Sequence, residues 1–237
     1  MREQGSACAN EFGGPVLELA TGTGRVLWPI AGAGFEIAGL DISAEMLAAA
    51  KAKARQQIPA ITERARFHEL DMTSFDLGTR FRLALIPYRA FHYLTRPAQQ
   101  RAALQCINRS LLRGGHLVVD VFDPQLQYCV STAPPFRSQQ SVVDLETNHT
   151  IIRRFLARVN DPLSQIFTER FRIEEVDEQG RVLEAEETAW TFRWNTRQEM
   201  RYLFELSGFE VVAEYSDFYR SPPAYGTEQV WIVRKSH

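Results

Sequence analysis

Continuous apolar runs alternate with helical spacings along the first half of the chain. In order they are "PVLELA", a helical stretch from about Gly24 to Ala33, "FEIAGLD", "SAEMLAAAKAKARQQ", "RFHELDM", "RLALIPY", "PAQQRAALQCINRSL" and "HLVVDVF". That alternation predicts a mostly parallel sheet with helices on both faces. Ser43 is a candidate N-cap ahead of Met46, Leu47, Ala50 and Ala54 on one helical face. Gly114 and Gly115 are expected to close the later helix. After Phe122 the period falls to two, with Ile151, Phe155, Ala157 and Val159 on one parity, then Phe167, Phe171 and Ile173, then Trp190, Phe192 and Trp194. "DEQG" at 177–180 predicts a hairpin turn between the last two of these runs. "TRQEMRYLFELSGF" returns to helical spacing, and "FEVVAEYS" and "TEQVWIVRK" read as closing strands. The expected organisation is an α/β core over residues 1–125, an antiparallel β insertion over 126–195, and a final helix and strands over 196–237 that complete the core sheet.

Charge and cysteine usage narrow the class. The 27 basic and 29 acidic residues leave a formal charge of −2, and the basic residues are scattered, so neither nucleic acid nor an anionic membrane is expected as a partner. Cys8, Cys106 and Cys129 are far apart and lack CxxC spacing, which argues against a disulfide framework and a zinc site. Glu36 and Asp41 interrupt the most hydrophobic region, and the opening "MREQGSACANEFGG" lacks the apolar core of a signal peptide. A cytoplasmic protein is the expectation.

The stretch "VLELATGTGRVLWPIAGAGFEIAGLD", residues 16–41, carries the candidate chemistry. In an open parallel sheet, ligands bind at the carboxyl ends of strands, where a glycine turn exposes backbone and a helix N-terminus. The turn Ala20-Thr21-Gly22-Thr23-Gly24 occupies such an end, and Asp41 closes the next strand where a carboxylate can accept from ribose hydroxyls. The third glycine of a dinucleotide fingerprint is replaced by Leu27, and no GK followed by Ser or Thr exists for a P-loop. Glu18, inside the strand before the turn, would repel a pyrophosphate but suits an amino or sulfonium group. The ligand so defined is a nucleoside that carries positive charge.

At "LELATGTGR" the chain resembles the class I S-adenosylmethionine-dependent methyltransferases, with Ala20 in place of the first glycine of their opening motif. The resemblance continues through "GLDISAEMLAAAKAK", "FHELDM" and "LIPYRAFHYL" to the closing strands. It implies a doubly wound, mostly parallel Rossmann-like α/β sheet with an antiparallel β-sheet insertion in the C-terminal half, and S-adenosyl-L-methionine as cofactor. It further implies that Glu18 and the segment Ala20, Thr21, Gly22, Thr23, Gly24 and Arg25 hold the methionine moiety. Asp41 would bind the ribose, Ile42 and Met46 would lie against the cofactor, Asp71 would accept from the adenine amino group beside Met72, and Pro87 and Tyr88 would border the transferable methyl.

For the acceptor, a small molecule is expected. Tyr88, Arg89 and His92 are the candidate substrate or catalytic residues, His92 because its ordinary pKa suits proton removal. Trp194 and Tyr219 are candidates for an aromatic acceptor chamber, to which the insertion is expected to contribute a cover. The implied reaction is methyl transfer, with nitrogen favoured over oxygen. The alternatives are a module that binds the cofactor or its demethylated product without chemistry, and a nicotinamide-dependent oxidoreductase.

Overall fold

The computed structural model describes residues 2–125, 130, 138–144 and 147–236. Cys129 and the expected start of the insertion at 126 lie outside the described residues. The chain divides into two compact units, Met1–Asp123 with Asn195–His237, and Pro124–Trp194.

The first unit opens with α1 (Arg2–Phe12), a helix the hydrophobic pattern leaves unassigned. It continues with β1 (Val16–Leu19), α2 (Leu27–Gly32), β2 (Ile37–Asp41), α3 (Ala44–Ala52), α4 (Pro59–Thr62), β3 (Ala65–Glu69), β4 (Phe81–Ile86), α5 (Pro97–Ser110) and β5 (Leu111–Phe122). The second unit holds β6 (Gln139–Val143), β7 (Thr150–Asp161), β8 (Ile166–Val176) and β9 (Val182–Arg193). The first unit then closes with α6 (Arg197–Leu206), β10 (Phe209–Tyr215) and β11 (Glu228–Lys235).

Among the described residues the first unit forms one sheet in the order β10-β11-β5-β4-β1-β2-β3, parallel from β5 to β3, with β10 and β11 antiparallel. Strand order reverses beside β1, so its carboxyl end faces the crevice where such sheets take their ligands. Every residue of β1 is buried, as a strand covered on both faces requires. One core layer gathers Leu17, Leu19, Ile86, Leu104, Phe204 and Trp231; the other gathers Val16, Leu27, Ile30, Leu83, Leu85 and Val118.

Two local expectations need correction. The helix α5 stops at Ser110 without help from Gly114 and Gly115, which lie inside β5. There the pairing with β4 slips from Phe81↔Leu111 to Leu83↔His116. Gly114 takes a φ of +71°, and a Cβ on Gly115 would come within 3.0 Å of the Leu112 carbonyl oxygen. The glycines thus serve a bulge, where a strand needs left-handed backbone and close approach. In α3, Ser43 caps the helix by accepting from the Met46 amide as expected, but only Leu47 and Ala50 are buried, while Met46 is half exposed.

The second unit is an antiparallel sheet in the order β6-β7-β8-β9, with Gly180 at a φ of +77° in the predicted turn between β8 and β9. Cross-strand pairs such as Arg158 with Glu169 and Arg170 with Glu187 join its strands.

Candidate active site

The carboxyl end of β1 leads into a turn that only particular residues tolerate. Ala20 has a φ of +56°, Gly22 of +53° and Gly24 of +73°. Gly24 is required twice over, since a Cβ there would also stand 2.9 Å from the Trp28 indole nitrogen. The indole is fixed in turn by donating to the Ala50 carbonyl at 3.1 Å. Lys53 Nζ donates to the Thr23 carbonyl at 3.0 Å, so α3 and its extension hold the turn from outside.

Asp41 ties the ends of β1 and β2 together. One carboxylate oxygen accepts from the Gly22 amide at 2.8 Å and the other from the Ser43 amide at 3.0 Å. A carboxylate has about four acceptor positions, so two of them remain for a ligand's hydroxyls. Asp41 is therefore a turn clamp that keeps capacity to bind.

Around this turn lies a cavity of about 670 Å³. Its wall includes Glu18, Ala20, Thr21, Gly22, Thr23, Arg25, Asp41, Ile42, Met46, Asp71, Met72, Pro87 and Tyr88, so the cofactor residues expected from the sequence converge there, with Gly24 behind the wall. Ile42, 73% exposed, and Met46 present apolar surface at this rim, which suits a flat base. Asp71 caps its own turn by accepting from the Thr73 amide at 2.7 Å and still borders the cavity. The Arg25 guanidinium lies 4.3 Å from the centre of the Tyr88 ring. The sequence reading missed Leu40, Ser43, Leu70, Ala90, Tyr93, Leu94 and Gln99 in the wall, though Ala90, Tyr93 and Leu94 belong to the motif around Tyr88.

Glu18 is 1% exposed and accepts a hydrogen bond from Thr21 Oγ1 at 2.7 Å. Among the described residues no cationic side chain pairs with it. Burial pushes its carboxyl up to about 8, with the Asp41 charge adding to the rise and the Thr21 hydrogen bond opposing it. A ligand cation in the cavity would supply the missing partner and return the group to its ionised form. A Cβ on Gly22 would meet no protein atom within 4 Å, so the backbone there is open to a ligand. The residues present fit the proposed cofactor.

The acceptor candidates are not brought together in this cavity. His92 is fully buried, its ring stacks on Phe122 at 3.9 Å, and its Nε2 accepts from the Phe122 amide at 2.9 Å. That nitrogen is occupied by backbone, so the expectation of a proton-removing base at His92 is corrected to a residue that fixes the end of β5. Arg89 does not line the cavity, and its side chain pairs with Glu228. Tyr219 is 86% exposed and does not line the cavity either. Trp194 is buried at the end of the second unit, and its Nε1 has no hydrogen-bond partner among the described residues.

Tyr88 and Arg89 take consecutive left-handed backbone conformations, φ +58° and +62°. A residue the sequence reading overlooked, Asp120 on β5, holds that turn by accepting from the Arg89 amide at 3.0 Å. Nothing local marks Asp120, because its partner is distant along the chain.

Comparison with known proteins bears on the segment and the fold. Residues 16–115 match the family described as a methyltransferase domain. A provisionally named methyltransferase of Geobacillus sp. (strain WCH70) is 31% identical over 106 residues, which cover 45% of this chain and 41% of that protein. The matched stretch thus spans about two fifths of that relative's length. Among solved structures, an S-adenosylmethionine-dependent methyltransferase from Clostridium acetobutylicum ATCC 824 superposes with a TM-score of 0.81 at 14% identity, covering 100% of this chain and 93% of that one. The sugar N-methyltransferase KedS8 from Streptoalloteichus sp. ATCC 53650 gives 0.75 at 19% identity, covering 100% and 87%. Residues 16–115 thus resemble a methyltransferase domain, and the chain as a whole shares its fold with solved S-adenosylmethionine-dependent methyltransferases.

Proposed function

We propose that the chain transfers a methyl group from S-adenosylmethionine to a small acceptor, with nitrogen the favoured recipient. The observation that carries this reading is Glu18, a buried carboxyl in the cavity wall with no cationic side chain beside it among the described residues. When bound, the cofactor supplies an electrophilic sulfonium methyl. Glu18 and the turn from Ala20 to Arg25 hold its methionine end, Asp41 accepts from the ribose, Ile42 and Met46 pack on the base, and Asp71 and Met72 read the adenine edge. Pro87 and Tyr88 align the reacting end, and alignment with exclusion of water accounts for most of the rate. A general base is not needed when the acceptor is a neutral amine. The likeness in fold to a sugar N-methyltransferase supports nitrogen.

Incubation with methyl-labelled S-adenosylmethionine and paired libraries of small amines and alcohols, read by mass spectrometry, tests the proposal. Labelled amine products are expected. Cofactor binding without transfer to any acceptor would instead identify a binding module.

A further inference from the structure

Across Pro87 from the cofactor cavity lies a second, much smaller one of about 20 Å³, room for one water-sized group. It is lined by Gln4, Gly5 and Cys8 of α1, Val26, the end of β4, Val118 and Asp120 of β5, and Phe218. Two oxygens on its lining residues are buried with no hydrogen-bond partner among the described residues: Asp120 Oδ1 and Gln4 Oε1. Buried acceptors without a donor are costly and uncommon, and two on one small cavity call for a ligand that brings donors.

The register locates this pair. Val118 of β5 faces Leu85 of β4, which faces Glu18 of β1, so Asp120 stands two strands over from Glu18 and further towards the carboxyl edge. Two strand spacings are roughly 10 Å.

Resting on the methyltransferase reading above, we propose that Asp120 Oδ1 and Gln4 Oε1 form the seat for the acceptor's amino group, a primary amine that attacks in its neutral form, an ammonium first giving one proton to the Asp120 carboxylate. Two acceptors match a group with at least two N–H bonds. A hydroxyl offers one donor and would leave the second oxygen unpaired, so the seat discriminates amines from matched alcohols by chemistry rather than by size. Burial, followed by the charge of Glu228, pushes the Asp120 carboxyl up to about 7, so little separates its neutral and ionised forms and a bound ammonium favours the ionised one. Its other oxygen is committed to the Arg89 amide, so one carboxylate both shapes the turn that presents Tyr88 and faces the acceptor.

The test uses the full chain and two variants. Asp120→Asn keeps an oxygen for the Arg89 amide and removes the charge, and Gln4→Met removes the second acceptor without touching that turn. Without cofactor, methylammonium chloride should raise the melting temperature of the wild type above that in sodium chloride of equal ionic strength, and this difference should vanish in both variants. In the labelled library, the best amine should show a KM raised at least tenfold in Asp120→Asn and severalfold in Gln4→Met, with S-adenosylmethionine affinity changed less than twofold. Intact transfer to amines with KM unchanged in Gln4→Met and Asp120→Asn would overturn the seat and leave the methyltransferase reading standing. Transfer to alcohols alone would overturn the seat and the preference for nitrogen, and transfer to nothing would overturn the function itself.

Discussion

Two groups of buried polar residues in the first unit invite comparison. Where the chain leaves this unit at Asp123 and re-enters at Asn195, the side-chain amides of Gln100 and Asn195 bond each other. Gln229 there donates to Asp123 and to the Asn195 carbonyl and accepts from Trp231 Nε1, and Arg197 pairs with Asp123. At the carboxyl ends of β1 and β5, Glu18 has the Thr21 hydroxyl and the Leu27 amide but no cationic side chain beside it among the described residues, and Asp120 keeps one oxygen unpaired. Gln100, Asn195, Gln229 and Asp123 in the first group are as well buried as Glu18 and Asp120 in the second. Polar groups whose partners are all supplied by the chain specify the fold, and those left short mark where a ligand must complete the set.

Breaking the first group should cost stability and spare binding. Gln229→Leu strips partners from Asp123, the Asn195 carbonyl and the Trp231 indole, and a buried group left unsatisfied costs about 1–3 kcal/mol, so urea denaturation should show a loss at the upper end of that range. Cofactor affinity at a temperature where the variant is folded should stay within about twofold of wild type.

Breaking the second group should do the reverse. Glu18→Gln removes a charge-assisted contact of about 1.5–3 kcal/mol, so calorimetry should show S-adenosylmethionine bound roughly ten- to a hundredfold more weakly. The ligand-free protein should gain stability at high pH. A carboxyl with a raised folded-state pKa stabilises fully below its unfolded value and loses that contribution as pH rises through about 8, a loss glutamine does not share. Thermal melts of both proteins at pH 9 check the sign.

Asp41→Ala falls between these cases, because Asp41 is partly satisfied by the Gly22 and Ser43 amides. It should lose at least about tenfold in cofactor affinity, one charge-assisted bond's worth, together with some order in the turn. The smallest effect belongs to Ala20→Gly. Left-handed alanine is strained by about 1–2 kcal/mol, and glycine would relieve this at the cost of a more flexible unfolded chain, leaving a net change of about 1 kcal/mol or less in denaturation. A loss exceeding 2 kcal/mol would show that the Ala20 methyl is a packing element.

Much of this arrangement was legible in the sequence because its signals are local. Strand and helix alternation, the Ser43 cap and the hairpin at Gly180 depend on residues a few positions apart, and so does the run from Glu18 to Gly24. Asp41 was legible because the spacing of a βαβ unit fixes its place. What escaped depends on distant partners. Asp120 is one acid at the end of an apolar strand until Arg89 and Gln4 are brought to it. His92 looked available until its nitrogen met the Phe122 amide. The helix α1 offered too weak an apolar stripe, since its inward face includes Gly5, Cys8 and Ala9. Gly114 and Gly115 resembled a helix stop, and only the slipped pairing with β4 reveals a bulge.

The central claim is that Glu18 awaits the cationic end of S-adenosylmethionine, and calorimetric titration of that ligand between pH 6 and 8 tests it most directly. Below about 8 the unliganded carboxyl holds its proton, so binding must release it. Affinity should therefore strengthen with pH, by up to about tenfold per unit, and level off near pH 8, where a free α-amino group of pKa about 7.7–8.0 begins to lose its own charge. Buffers of different ionisation enthalpy should report a proton released at pH 6.5 in the wild type and none in Glu18→Gln. An affinity that does not change with pH and is equal in the two proteins would contradict the account.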